Sequence, residues 1–550
     1  MSAWRGAAAV VWAPTAGEMS DLDRRAVAAG HTSERVLIEA AGREVAARIA
    51  SIAPEGPVCG LIGSGHNGAD ALVALRTLAA WGRTVRAVQA GSGAPEPEVR
   101  AGWPIELEPA GALRERPPRG GVVLDGLLGT GVRGAPRAPQ ATLINAANGL
   151  GLPIVSIDVP SGADATTGAV PGACIRADVT VCLGWPKLGL FRHPARSHAG
   201  RIEAVEIGFP PIDAAEGGTD AAELAGGAGA IAPAADPGAR LITARLITAR
   251  WVQELLRSRP ADAHKSTSGY VLLVAGTEGM AGAAVLAARA AYRSGAGIVR
   301  VIGHPANREI IQQSVPGAIF ASWGEEGDDR QGGAASAVEA GVEWAHALAI
   351  GPGLGRGPEA RSMVERLLAE RGGRPVVLDA DGLNAFAGEP ERLAALVGEA
   401  DVITPHPGEL DRLLDVDSAA DPPGAARAAA ERFGCVVVLK GAPTVVASHG
   451  APLRVAVTGG PAMAVGGTGD VLTGAIGAAL AAGYGATDAS TVALLLTGLA
   501  AERARPGGIG LVAEDIPDAI PAIREEVAGL GPRPSGPLFF VLDSTAEARS

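Results

Sequence analysis

The stretch 464-AVGGTGDVLTGAIGAAL-480 sets two adjacent glycines, a threonine, a third glycine and one acid in front of an apolar run. That run has helical character, and a helix N-terminus leaves four amide N–H groups without intrahelical partners. The helix dipole favours an anion there, and glycines let the backbone approach it without side-chain interference. Gly466, Gly467, Thr468 and Gly469 therefore read as an anion loop able to surround a phosphate. Asp470 is out of place beside an anion unless it has a task. The economical task is to take a proton from a hydroxyl that attacks phosphorus. The plainer alternative is a helix cap, since Asp is favoured at such positions.

Around this loop the chain alternates short β-branched runs with longer helical ones. In the second half SGYVLLVAG, GIVRVIG, HALAIGPG, PVVLDADG, DVITPHPGE and CVVVLKG read as strands. In the first half GPVCGLIG, TVRAVQA, GGVVLDGLLG, LPIVSIDVPSG and ADVTVCLG do the same. Continuous apolar strands separated by helices indicate parallel sheets covered on both faces. The fold class expected is α/β, in two domains. Ligands in such sheets sit at the carboxyl ends of strands, and here those ends carry glycines and carboxylates.

Residues 212–240 are poor in large apolar residues and rich in Ala, Gly, Pro and acids, a linker composition. They divide the chain into a first domain over 1–211 and a second over 241–530. Residues 531–550 stay unassigned. The tandem LITARLITAR at 241–250 keeps an apolar stripe at helical spacing and is expected to lengthen the start of a helix.

Of 550 residues, 47% are hydrophobic but only 3% aromatic, so the cores must be built from Ala, Val, Leu and Ile. Net charge is −12, and no Lys/Arg block tracks a phosphate backbone, which argues against nucleic acid as a partner. No uncharged apolar stretch reaches about 18 residues, so no membrane span is expected. Cys59, Cys174, Cys182 and Cys435 form no C-x-x-C pair and read as buried reduced thiols of a cytoplasmic protein. The oligomeric state is open, a homo-oligomer included.

In the first half, GSGHNG at 63–68 matches the dinucleotide fingerprint G-x-G-x-x-G after a strand and before a helix. The acid that should close the second strand is missing, because TVRAVQA ends with Gln89. Asp70 would also repel a pyrophosphate. Asn67, Asp125 and Ser161 offer hard oxygen atoms from three neighbouring strand ends, a set that suits a weakly hydrated cation better than zinc.

These stretches, with MSDLDRRAVAAG, DGLLGTGVRG and SIDVPSGADATTG, resemble the NAD(P)H-hydrate epimerase domain over residues 10–210. The resemblance implies a Rossmann-like fold and interconversion of the R and S epimers of hydrated NAD(P)H. It implies K+ held by Asn67, Asp125 and Ser161. It places His66, Asn67, Gly68, Ala69, Asp70, the segment Gly129, Thr130, Gly131, Val132, Arg133, Gly134 and Ala135, and Asp158 around the nucleotide, with Asp158 as acid/base. The family's first loop reads Asn-Asn-Gly-Gly-Asp-Gly, whereas here it is His66-Asn67-Gly68-Ala69-Asp70-Ala71. Alanine disfavours positive φ, so a reshaped loop is expected, and a domain kept as a scaffold is the alternative.

In the second half, KGAPTVV at 440–446 reads as strand, tight turn and strand, a shape that lies against an adenine or ribose. DADGLNAF places Asp379 and Asp381 two apart on a strand and hence on one face. TPHPGEL brings His406 and Glu409 to another strand end. Asp381 and Glu409 suit an octahedral Mg2+ reached partly through water.

Together with HKSTSGYVLLVAG, GMAGAAVLAARAAYRSGAGIVRV and AIGPGLGRG, these loops resemble the ribokinase-like superfamily. Within it they are similar to ADP/ATP-dependent NAD(P)H-hydrate dehydratases over residues 255–505. The resemblance implies that Ala283, Gly353, His406 and Asp470 contact the hydrated nicotinamide nucleotide. It implies that Lys440, Gly441, Ala442, Pro443, Thr444 and Gly469 hold ADP or ATP, used with Mg2+. A ribokinase-like kinase of a vitamin-precursor alcohol is the competing reading.

Overall fold

The computed structural model describes residues 8–209 and 242–543, apart from 92, 94–96, 259–261, 263, 266–267, 324–333, 505–508 and 533–534. The expected linker 212–240 lies outside the described residues. Two compact units emerge, Met1–Arg245 with Pro532–Ser550, and Leu246–Gly531.

In the first unit the strands are β1 (Val58–Ile62), β2 (Val85–Gln89), β3 (Leu107–Pro109), β4 (Val122–Gly126), β5 (Ile154–Ile157), β6 (Val179–Leu183), β7 (Arg201–Val205) and, from the far end of the chain, β18 (Leu538–Leu542). They form one sheet in the order β18-β7-β6-β5-β4-β1-β2-β3. All pairings are parallel except that of β18 with β7. The order reverses between β1 and β4, and a crevice opens at the carboxyl ends of strands at such a point. Close approach at this crevice requires glycine. The Gly63 amide donates to the Gly126 carbonyl at 3.0 Å, and a Cβ at Gly63 would lie 1.9 Å from the Leu127 carbonyl oxygen.

Sequence reading missed β3, β7 and β18. In β7, RIEAV carries two charged residues, yet Glu203 is fully buried. Arg48 makes this tolerable with a two-pronged bond, Nε to Oε2 at 2.6 Å and Nη2 to Oε1 at 3.0 Å. A buried charge paired in this way keeps its hydrogen bonds. The unassigned tail supplies β18, which buries Phe539 and Phe540. Their rings pack edge-on to Trp185 at 5.0 Å and Phe191 at 6.3 Å.

The second unit contains β9 (Tyr270–Val274), β10 (Ile298–Gly303), β11 (Ile319–Ser322), β12 (Ala347–Ile350), β13 (Val376–Leu378), β14 (Val402–Ile403), β15 (Val436–Leu439), β16 (Thr444–Ala447) and β17 (Leu453–Ala456). Their order is β11-β10-β9-β12-β13-β14-β15-β16-β17. Pairings are parallel as far as β15 and antiparallel beyond it. Two helices, Ala281–Ser294 and Thr468–Ala481, cross closely, and a Cβ at Gly474 would lie 2.0 Å from the Ala287 carbonyl oxygen. The small-residue composition serves this approach. The core is aliphatic, as the scarcity of aromatics required.

The LITAR repeat divides its roles. The strand β8 (Ala244–Leu246) spans the junction of the two copies, and Thr248 caps the helix Ala249–Leu255 by accepting from the Trp251 amide. The helix start is supplied by the second copy alone. The four cysteines are free and buried. Among the described residues no helix is long and apolar enough to cross a membrane.

Candidate active sites

In the second unit the anion loop ends where expected. Gly467 is the residue before the helix Thr468–Ala481 and has φ 94°, a left-handed conformation that favours glycine. The Thr468 hydroxyl bonds back to the carbonyls of Met463 and Val465, each at 3.2 Å, which ties the loop down. Asp470 is the third residue of the helix, within its first turn, and does not occupy the cap position. Its carboxyl is pushed up to about 7 by burial first, then by Asp379, against the pull of Lys440, with Asp381 adding to the rise. The plainer capping role therefore fails, and Asp470 belongs to a charged cluster.

Lys440 is the centre of that cluster. Its Nζ donates to Asp379 Oδ1 at 2.6 Å and lies 3.7 Å from Glu409 Oε2. Burial alone would lower the pKa of this ammonium, but Asp379 and Glu409 outweigh it and the net shift is upward. Asp379 Oδ2 accepts from the Thr473 hydroxyl at 2.7 Å. Asp379 is 1% exposed, so both oxygens are satisfied without solvent. This buried Asp379–Lys440–Thr473 link escaped the sequence reading of Lys440 as a nucleotide-binding residue alone. Thr473 carried the readable signal, one helical turn after Asp470 on the same face.

Asp379 and Asp381 do not share one strand face, which corrects the expectation. β13 stops at Leu378, Ala380 has φ 48°, and Asp381 begins the short helix Asp381–Asn384. The strained residue turns the two acids to different partners. Asp381 accepts from the Gly355 amide at 2.9 Å and from Asn384 Nδ2 at 3.2 Å, and lies 3.4 Å from Arg356 Nε. Glu409 instead accepts from the His406 amide at 2.8 Å as part of the helix Pro407–Leu414. Among the described residues no group of three or more His, Cys, Asp and Glu side chains is poised to hold a metal.

His406 itself is half exposed at the N-terminus of that helix. Ala283 and Gly353 do come together, since a Cβ at Gly353 would lie 3.0 Å from that of Ala283. Gly441, Ala442, Pro443 and Thr444 form the tight turn between β15 and β16, closed by Thr444 Oγ1 donating to the Gly441 carbonyl at 3.0 Å. Gly469 faces the cluster, and a Cβ there would lie 3.5 Å from both Asp379 Oδ2 and Lys440 Nζ.

In the first unit the fingerprint is helical only from His66 onward. His66 to Asp70 are the first residues of the helix His66–Ala80, and Ala69 and Ala71 adopt ordinary helical backbone. Neither alanine meets the positive φ that it disfavours, and helical backbone suits it. His66 is exposed and pairs with Glu34, whereas Asn67 and Asp70 are buried.

The three oxygen-bearing residues converge through Leu128. Asn67 Nδ2 donates to the carbonyls of Leu128 at 3.0 Å and Ile157 at 2.9 Å. The Leu128 amide donates to Ser161 Oγ at 2.9 Å, and that hydroxyl donates to Asp125 Oδ1 at 2.6 Å. Asp125 is fully buried and also accepts from Ser156 Oγ and the Ser161 amide. Burial still raises its pKa despite these bonds. Gly129 packs on Asn67, and a Cβ there would fall 2.7 Å from Oδ1. Thr130, Gly131 and Val132 continue the turn from Gly129, which leads to Arg133, 3.7 Å from Asp164, and to Gly134 and Ala135.

Asp158 has φ 66°, and its Oδ1 accepts from the Leu183 amide at 3.1 Å. Lys187, 1% exposed, pairs with the same oxygen. Asp70 and Asp23 complete this pocket. Burial, then Asp158 and Asp23, hold the Asp70 carboxyl well above the usual range. Burial raises Asp23 to about 6 against the pull of Lys187, with Asp158 adding to the rise. Asp23 and Lys187 were not read from sequence. A lone Lys 29 positions beyond Asp158 gave no signal of its partner.

Residues 271–522 match the family model described as NAD(P)H-hydrate dehydratase, and residues 34–189 match the YjeF-related protein N-terminus. A bifunctional NAD(P)H-hydrate repair enzyme of Salinibacter ruber is 36% identical, with 94% of this chain and 97% of that protein covered. The enzyme of the same description from Gloeobacter violaceus is 37% identical over 85% of this chain and 88% of that protein. An ADP/ATP-dependent NAD(P)H-hydrate dehydratase structure from Bacillus subtilis is 29% identical, covers 51% of this chain and 98% of its own, and superposes with a TM-score of 0.44.

Proposed function

The chain belongs to the bifunctional NAD(P)H-hydrate repair enzymes, and we infer that the sites described above carry out its two reactions, each within its own unit. The second unit dehydrates the (6S) hydrate of NADH or NADPH at the expense of ADP or ATP. The first unit epimerises the (6R) hydrate to the (6S) form. The observation that carries the residue assignment is Asp470, a carboxyl pushed up to about 7 in the first turn of the helix that Gly467 opens.

Hydroxide is a poor leaving group, so the hydrate is first phosphorylated. Asp470 takes the proton of the C6 hydroxyl, and the oxygen attacks the terminal phosphoryl group of ADP or ATP. The amides of Gly467, Thr468 and Gly469 offset charge on the transferring group, donors fixed in place before the reaction begins. The ring nitrogen lone pair then expels phosphate from C6 as a proton leaves C5, and NAD(P)H is restored. Ala283, Gly353 and His406 line the hydrate side. Lys440 to Thr444 line the nucleotide side.

Mg2+ suits this site by charge. Asp379, Asp381, Glu409 and Asp470 gather around Lys440, with Arg356 on Asp381 and His406 beside Glu409, so acids outnumber the cations set against them among the described residues. Asp381 and Glu409 would hold the ion through water and nucleotide oxygens, and the ion would neutralise phosphate charge. K+ suits the first unit, where the fully buried Asp125 carboxyl accepts from the Ser156 and Ser161 hydroxyls and the Leu127 and Ser161 amides. Asn67, Asp125 and Ser161 would hold it, and it would set a positive charge beside Asp125, which pairs with no Lys, Arg or His among the described residues. Four buried thiols fit a reducing, cytoplasmic setting.

The test is to incubate purified protein with the mixed epimers of hydrated NADH and either ADP or ATP. Absorbance at 340 nm should recover completely, with one inorganic phosphate released per NADH. Accumulation of a stable phosphate ester without NADH would mark a kinase instead.

A further inference from the structure

We propose that Lys187 is a positioning residue of the epimerising site: its buried ammonium claims Oδ1 of Asp158, so that Oδ2 alone exchanges a proton with the hydrate. The inference rests on the epimerase reading of the first unit and assigns the division of labour within it.

Lys187 follows β6 and is 1% exposed, a severe burial for an ammonium. Its Nζ meets Asp158 Oδ1 and donates to the Leu183 carbonyl at 3.0 Å. The Leu183 amide reaches the same Oδ1 at 3.1 Å. Two donors therefore converge on one oxygen, and no hydrogen bond among the described residues falls on Oδ2. The backbone of Asp158 is held at φ 66°, a strained conformation that persists where the surroundings enforce it.

The pocket contains an acidic excess that makes the lysine necessary. Asp70 on the helix His66–Ala80, Asp23 on the helix Ala16–Ala28 and Cys182 on β6 all interact with Asp158. His66 and Glu34 act on Asp23 from further out. Asp70 and Asp23 are both shifted toward their protonated forms. Lys187 sets a buried positive charge against this acidic excess. Asp158 is the base, and Asp70 carries the proton.

The chemistry balances on that division. C6 of the hydrate bears both a hydroxyl and the ring nitrogen N1. Asp158 takes the hydroxyl proton, C6 becomes a carbonyl carbon, and the C6–N1 bond breaks with its electron pair on N1. Asp70 gives its proton to N1. After rotation about C5–C6, N1 adds to the opposite face of the carbonyl, returns its proton to Asp70, and the new hydroxyl recovers its proton from Asp158.

The experiment follows epimer interconversion by chromatography without nucleotide, as a function of pH, in the full chain. Lys187→Met should lower kcat about 100-fold, a typical general-base contribution. KM should stay within about 3-fold, and the acidic limb of the kcat profile should move up by about one pH unit or more. Lys187→Arg, which keeps the charge, should leave that limb in place and recover most of the rate. A purely structural lysine would lower the amplitude and leave the limb unmoved in Lys187→Met, which overturns the inference. Should Lys187→Met fail to fold, a displaced limb in Lys187→Arg overturns it equally, and an unmoved limb supports it. Interconversion abolished by Asp158→Ala but untouched by Lys187→Met overturns the inference alone. If the wild-type chain does not exceed the spontaneous rate, the epimerase reading falls and the inference with it.

Discussion

An acid placed at the mouth of a phosphate-binding helix costs stability unless the protein uses it, and Asp470 illustrates the cost. Its carboxyl is pushed up to about 7, whereas an unfolded Asp titrates near 3.9. Between those values the native chain binds more protons than the unfolded one, so unfolding free energy falls as pH rises. Asp470→Asn is thus expected to raise the Tm of the nucleotide-free second unit by about 2–4 °C at pH 8 and by little at pH 4. Calorimetry at the two values checks it, and a Tm lowered at pH 8 contradicts the charge cluster. For the same reason kcat/KM for dehydration should rise through pH 7 as the base loses its proton. GGTGD was legible because glycines, a hydroxyl and an acid stand adjacent in sequence. The Asp379–Lys440 bond was not, because the partners are 61 positions apart. The turn at Ala380 was hidden because alanine gives no hint of a positive φ.

The helix Thr468–Ala481 carries both the packing and the chemistry of its unit. At its start, a Cβ at Gly467 would sit at φ 94°, 2.6 Å from Leu286 Cδ1 and 2.9 Å from Ala513 Cβ. Gly467→Ala should therefore move the loop, cost about 1–3 kcal/mol, and weaken ATP binding by about tenfold, read by calorimetric titration. Unchanged affinity would remove the Gly467 turn from the nucleotide site. The central strands of both sheets were readable because each is a continuous apolar run. β3, β7, β11 and β17 were not read, being short or interrupted by charge. In β17 the charged Arg454 pairs with Asp488 at 2.6 Å. The helix start at His66 was hidden because the glycines and polar residues of GSGHNG read as a loop.

At the scale of the whole chain, the α/β class and the two-part organisation followed from the alternation of strands and helices with one linker-like composition. The return of the C-terminal segment to the first unit could not be read, since more than 300 positions separate β18 from β7. Deleting 532–550 removes buried Phe539 and Phe540. Each such loss costs about 3–5 kcal/mol, so epimerisation should fail at 37 °C while ADP-dependent dehydration persists; equal loss of both activities would contradict the assignment of β18. The central claim, that one carboxyl beside the anion loop removes the hydroxyl proton, is tested most directly by Asp470→Asn with pure (6S) hydrate and saturating ATP. No NADH and no inorganic phosphate should form while ATP affinity stays within about 3-fold of wild type. Turnover within tenfold of wild type would contradict it.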